Sequence, residues 1–374
     1  MSAPAAGAPP AARGGERRPV AWRTLTMVGA LALIWVAFSV ATDGTFLSPR
    51  NLSLLARQMA VTSILATGMV LVIVAGQIDL SVGALSGLMG ALSTIVATRL
   101  GWPLPLAFAL ALAAGATIGG VQGSLIAWLR IPPFIVTLGG MLLFQGSLLG
   151  LTRGVTLVPP PGYLAVGQTY LAAPLGWVAA TLAAAAFGFA ALRAPGPSRL
   201  RSLTLALLAL VVAAVMNAYH GIPVPVLLVL GIAGLLSLIA TRTPFGRHLY
   251  AVGGNREAAF YSGIPIERRI VGVFALMGLL TGIAGVVLTA RVGAATTDAG
   301  RMMELDAIAA AVIGGTSLLG GRGSVWGALL GAMVMASLDN GMSLLDTEAF
   351  WQPILKGGIL VAAVAADMAG RRRE

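Results

Sequence analysis

The chain of 374 residues contains no cysteine, which excludes disulfides, thiolate metal sites and a cysteine nucleophile. Its two histidines, His220 and His248, leave little from which to build a metal centre. Charge is scarce as well: Asp, Glu, Lys and Arg make up 10% of the residues, against roughly 25% in soluble domains. Lysine is the scarcest of all, since Lys356 is the single lysine among 24 basic residues. A phosphate-binding P-loop needs G-x-x-x-x-G-K-[ST], and Lys356 is followed by Gly357 and Gly358. The chain therefore does not hydrolyse ATP by that route. No Ser-His-Asp order stands out either.

What fills the chain is apolar. Hydrophobic residues make up 57%, mean hydropathy is +0.91, and there are 49 glycines. The composition is that of an integral membrane protein, with small residues that let helices approach closely. The net charge of +11 is no nucleic-acid signal, because the arginines are scattered between apolar runs. It reads instead as the cationic bias of cytoplasmic loops.

Residues 1–23 are rich in Ala, Pro, Gly and Arg and read as a disordered basic cytoplasmic tail. A signal peptide competes for this stretch, but the apolar run that follows exceeds a signal core of about 7–15 residues. A bilayer core of ~30 Å takes about 20 apolar residues per helix. On that ruler the spans are 24–42, 59–76, 79–98, 104–129, 134–151, 174–192, 202–219, 223–241, 270–290, 305–320, 324–344 and 350–369. The expectation is an all-α polytopic membrane bundle of about 12 transmembrane helices, or ten or eleven if the Gly-rich pair 305–320 and 324–344 is partly re-entrant. It forms one transmembrane domain over 24–370, with a basic cytoplasmic end at 371–374. With the N-terminus inside, the inner segments hold 17 of the 24 basic residues and the outer segments 7, Lys356 counted outside. That bias puts both termini in the cytoplasm.

The densest polar island is Thr241 to Arg269, with five arginines, His248 and two glutamates. Forty uncharged residues precede it (202–241) and 21 follow it (270–290). Gly253 and Gly254 break the chain, Asn255 is a good N-cap, and Glu257 suits the positive end of a helix dipole. Gly263 and Pro265 stop the helix. About two turns result, from Arg256 to Ser262, presenting Ala258, Ala259, Phe260 and Tyr261. So short a helix is marginal alone in water, so something must pack on it: a partner protein, or anionic lipid headgroups.

Other polar groups fall within the spans. Gln77, Asp79 and Ser81 either line a hydrophilic route, or Asp79 merely opens a helix as its cap. Thr137, Met141, Phe144, Gln145, Leu148 and Thr152 share one helical face, fit for weak sugar contact or for helix–helix hydrogen bonds. Near the C-terminus come Glu304, Asp306, Thr316, Ser317, Arg322, Asp339 and Asn340 among paired glycines. These mark broken helices of the kind that hold solute sites, or close packing alone. A proton-coupled carrier, with Asp79, Asp306 or Asp339 titrating, would also need basic partners within the spans.

Five segments together resemble one family, the membrane permease subunits of ABC importers for ribose, xylose, arabinose and galactose. They are FLSPRNLSLLARQ (46–58), GMVLVIVAGQIDLSVGAL (68–85), PPFIVTLGGMLLFQGSLLGLTRG (132–154), GRHLYAVGGNREAAFYSGI (246–264) and ELDAIAAAVIGGTSLLGGRGSVWGALLGAM (304–333). The resemblance covers almost everything beyond the tail. It implies a homodimeric or pseudo-dimeric permease in a bacterial inner membrane, two cytoplasmic ATP-binding subunits and a periplasmic sugar-binding protein. It implies no cofactor on this chain, ATP being used by the partner subunit. It also makes Gly254, Asn255, Arg256, Glu257, Ala258, Ala259, Ser262 and Gly263 the residues that couple to the ATPase. Between Tyr163 and Val224 there is room for an extra hairpin, 174–192 and 202–219, a length that looks like the xylose-type permeases. A pentose is then the leading solute, with galactose, ribose, a polyol or a nucleoside as alternatives.

Overall fold

The computed structural model describes residues 20–193, 195–348 and 350–371. The tail residues 1–19 and the terminal basic residues 372–374 lie outside the described residues. The chain opens with α1 (Val20–Ala41), α2 (Pro49–Val74), α3 (Val82–Thr98), α4 (Leu104–Ala127) and α5 (Pro133–Thr152). Next come the short α6 (Ala165–Gln168), the hairpin α7 (Ala173–Arg193) and α8 (Pro197–Asn217), and α9 (Val224–Arg242). The polar island forms α10 (Pro244–Gly254) and α11 (Arg256–Tyr261). Then follow α12 (Ile266–Val292), α13 (Met303–Ile313), α14 (Val325–Leu344) and α15 (Trp351–Arg371). The only strands among the described residues are β1 (Tyr170–Leu171) and β2 (Ile222–Pro223), paired antiparallel at the base of the α7–α8 hairpin.

The protein is all-α. Among the described residues, seven helices are long and apolar enough to cross a membrane: α2, α4, α5, α7, α8, α9 and α12. Shorter apolar helices run over Met27–Ala41 and Val82–Thr98. The expected span 305–320 is not one helix. α13 has 11 residues, about 16 Å of rise, and gives way at Gly314 to an irregular segment that lasts until α14. Gly315, Gly320 and Gly321 take positive φ there, a conformation that only glycine adopts freely. The first helix also starts earlier than its apolar run suggests, at Val20.

Helix α2 is the axis of the bundle, buried without interruption from Ala60 to Val74. α12 is buried on most sides, the pattern of a helix apolar all round. α4 lies on α12 through glycines four apart, Gly115, Gly119 and Gly123, set against Phe274, Gly278 and Gly282. A Cβ on Gly123 would stand 2.8 Å from the Val271 Cα and 2.9 Å from the Phe274 Cβ. Only small residues allow backbones this close. The extra hairpin packs chiefly on itself and exposes Leu182, Leu192 and Leu207, side chains suited to lipid.

Candidate functional site

The chain turns out of α9 through Thr243, whose hydroxyl accepts from the Gly246 N–H at 3.3 Å, and Pro244 takes the first helical turn of α10. Both are favoured at a helix start. α10 buries Gly246, Leu249 and Val252 and exposes Arg247 and Ala251. The helix breaks where the sequence predicts, after Gly254, and both glycines lie in the last turn of α10. Their role is contact. A Cβ on Gly253 would collide with the Val74 carbonyl oxygen at the end of α2 and stand 2.9 Å from the Gly321 nitrogen. Gly321 itself donates to that Val74 carbonyl at 2.9 Å. The Tyr250 hydroxyl, its pKa raised by burial, donates to the Gly323 carbonyl at 2.9 Å. The end of α10 is thereby wedged between α2 and the 314–324 segment.

Asn255 then caps α11, its Oδ1 accepting from the Ala258 N–H at 2.9 Å. At the other end Ser262 donates to the Ala258 carbonyl at 2.8 Å. The Gly263 N–H donates to Phe260 and the Ile264 N–H to Ala259, the paired bonds of a Schellman close. Gly263 sits at φ +74°. Only Ala259 of α11 is buried, while Asn255, Arg256, Glu257, Ala258, Ser262 and Gly263 are exposed. Phe260 and Tyr261 are 66% and 79% exposed, packed edge to face with centroids 5.8 Å apart. This is a short, well-capped knob with two uncovered aromatic rings.

The candidate pathway residues do not gather in one place. Asp79 is not a helix cap: Ser81 precedes α3 as N-cap. The Asp79 Oδ1 accepts from the Ser81 N–H at 2.8 Å and hydroxyl at 2.6 Å, a local Asx turn. The Ser81 hydroxyl also accepts from Nε2 of Gln122 on α4 at 3.1 Å. Gln122, a lone amide in an apolar helix, was not among the sequence candidates. Its neighbour across α5 is the Phe144 ring, both lying near Gly140. Buried Gln77 donates to Ala75 at 3.4 Å, and its Oε1 has no partner. On α5, Thr137, Leu148 and Thr152 are buried, and both hydroxyls bond carbonyls of their own helix. Gln145 is exposed, so the expected polar stripe does not hold as one inward face.

Thr316 and Ser317 stand at the α10 junction, with Thr316 against Gly323 and Ser317 donating its N–H to the Arg322 carbonyl. Asn340 is at the opposite end of α2. It exchanges two amide bonds with Asn51, at 2.8 and 3.1 Å, and Asn51 also donates to the Phe46 carbonyl. α2 has 26 residues, about 39 Å of rise, so this clasp is remote from Gln77. It fastens α14 to the start of α2. Asn51→Ala is expected to cost about 2 kcal/mol, because it leaves the buried Asn340 amide without its partner. Thermal unfolding in detergent reads the loss, and the added cost of Asn340→Ala should be small.

The positive-inside count also changes in detail. Lys356 lies within α15, in contact with Asp306 and Asp339, and not in an outer loop. No group of three or more potential metal-ligating side chains occurs among the described residues.

Comparison with known proteins places this geometry. The family described as branched-chain amino acid transport system / permease component matches residues 51–364. The xylose transport system permease protein of Escherichia coli (strain K12) is 46% identical over 94% of this chain and 93% of its own length. Its namesake from Haemophilus influenzae is 46% identical over 93% and 96%. The ribose import permease protein of Bacillus subtilis (strain 168) is 36% identical over 86% of each chain. No solved structure matches. The match runs from the start of α2 into α15 and takes in the α10–α11 knob, so the chain belongs to this family of membrane permease components.

Proposed function

We propose that the chain is the permease subunit of an ABC importer that carries a monosaccharide, xylose first among candidates, across the bacterial inner membrane. ATP is hydrolysed on separate cytoplasmic subunits; this chain binds no cofactor of its own. The observation that carries the reading is α11, capped at both ends, exposed on all but Ala259 and wedged to the bundle through α10. Gly254, Asn255, Arg256, Glu257, Ala258, Ser262 and Gly263 form its docking surface, with Phe260 and Tyr261 at the crown. Two copies of the chain pair, each crossing the membrane about twelve times with both termini inside, and a periplasmic sugar-binding protein docks on the outer face. Xylose leads because relatives named for xylose transport match nearly end to end and because the α7–α8 hairpin fills the length expected of that type.

The mechanism follows from the contacts. Closure of the ATPase dimer displaces α11. α11 passes the displacement to α10 on one side and, through Pro265, to α12 on the other. The end of α10 bears on the end of α2 and on the 314–324 turn, so one movement reaches both central helices. Such a continuous path of rigid contacts is what coupling requires. Capture of the sugar belongs to the binding protein, so a deep, tight pocket in the bundle is not required.

A proton-coupled carrier is the second reading, favoured by one observation: Lys356 supplies the intramembrane base that the scattered arginines do not. Uptake into proteoliposomes separates the two. The chain with its ATPase and binding protein is expected to take up xylose with ATP, and the chain alone is expected to take up none under a proton gradient. The reverse pattern would make it a secondary carrier.

A further inference from the structure

Lys356, in the second turn of α15, reaches two neighbouring helices. Its Nζ lies 3.0 Å from both carboxylate oxygens of Asp306 on α13 and 2.9 Å from Oδ1 of Asp339 on α14. The three side chains remain 14% to 20% exposed, so the cluster is reachable from a cavity. That cavity is a cleft of about 220 Å³, walled by Arg301, Met302, Asp306, Met335, Gln352 and Lys356 among others. It lies where α13, α14 and α15 meet. Arg301 and Met302 follow the end of α12 at Val292, and α13 carries Asp306 to about 12 Å of rise from Gly314, where the segment that meets α10 begins.

The chemistry of the walls is selective. A carboxylate accepts from two adjacent hydroxyls, while a guanidinium and an amide N–H₂ donate to ring and hydroxyl oxygens; the Lys356 ammonium is taken up by the two aspartates. Methionine thioethers supply adaptable apolar contact for the C–H face of a small ring. The volume falls below the ~300–1,000 Å³ typical of drug-sized pockets, so large solutes are excluded. A lysine–aspartate lock between helices would need no such cleft.

We propose that this cleft is a sugar-receiving site of the permease itself, where Asp306 and Gln352 hold a monosaccharide on its way through the bundle and Lys356 keeps the Asp306 carboxylate in place. The proposal rests on the sugar-import reading above. Removing Asp306 or Lys356 would leave a partly buried charge unpaired and unsettle the fold, so the test uses residues outside the ion pairs. Gly357 also lines the cleft, and a Cβ there meets nothing within 4 Å. Gly357→Leu therefore obstructs the cleft without a backbone clash, and Gln352→Leu removes a donor.

Two readouts are needed. Saturation-transfer NMR of D-xylose on the purified permease in nanodiscs is expected to show contact with wild type and none with either variant. In the reconstituted complex, xylose uptake per ATP hydrolysed is expected to fall roughly tenfold in Gln352→Leu, the effect of losing one good hydrogen bond, and at least as far in Gly357→Leu, whose side chain occupies the cleft. ATPase stimulation by the liganded binding protein should stay at the wild-type level. Wild-type NMR contact or uptake ratio in both variants overturns the receiving site alone, as does absence of NMR contact with a wild-type complex that imports xylose. A wild-type complex that hydrolyses ATP but imports no xylose overturns the sugar reading, and this proposal with it.

Discussion

Gly253→Leu is expected to uncouple the permease: ATP-driven uptake falls at least about tenfold while the ATPase subunits still bind. The reason is steric and local. The residue is wedged against the Val74 carbonyl and the Gly320–Gly321 turn, and the backbone atoms it meets cannot swing away as a side-chain tip could. Inserting an isobutyl group there costs about 1–3 kcal/mol of overpacking, relieved by lifting α10 off the end of α2. The core should survive, because Val74 and Gly253 lie at its edge and the α4–α12 glycine contact is untouched. Measured in proteoliposomes, the signature is retained complex assembly with lost uptake. A variant that transports at the wild-type rate would show that the wedge carries no displacement.

Gly263→Val is expected to act on the same step by a different cause. Gly263 is exposed and a Cβ there meets nothing, so no packing is lost. Its φ of +74° is the whole issue, since a left-handed residue with a side chain costs roughly 1–2 kcal/mol, more with β-branching. α11 has six residues, and a helix of that length has little stability of its own. Losing its Schellman close should melt it in most molecules, since each 1.4 kcal/mol is about a tenfold change in population. Uptake and stimulated ATPase activity are both expected to drop several-fold, with thermal stability of the isolated permease unchanged. Gly263→Asn should recover part of the activity, because asparagine tolerates the left-handed region. Equal activity of the valine and asparagine variants would contradict the account.

The capped knob was readable in the amino-acid sequence because its signals are local. Asn255, Glu257 and Gly263 are cap, dipole and stop within nine residues, and the observed helix ends one residue short of the expected one. The apolar spans were readable for the same reason, each being a run of its own. What escaped depends on the distant chain. The role of Asn51 exists only because Asn340 faces it, 289 positions away. Lys356, inside the expected span 350–369, was counted only as an outer charge until α13 and α14 brought two aspartates to it. Gln122 was a single amide among alanines and glycines until Ser81 met it. Gly253 and Gly254 were read as a break, yet the turn that makes them a wedge, 317–322, lies more than sixty residues on. The 305–320 run was apolar enough to pass for a helix, but its glycines take conformations that end one.

The absence of cysteine makes the central claim directly measurable. Ser262→Cys places one thiol, almost isosteric with the hydroxyl it replaces, on the exposed end of α11. With single cysteines placed along the groove of the partner ATPase, oxidation is expected to join the two subunits and stop ATP-driven xylose uptake, and reduction should restore it. If Ser262→Cys forms no bond to any groove position while the complex transports normally, α11 is not the coupling element.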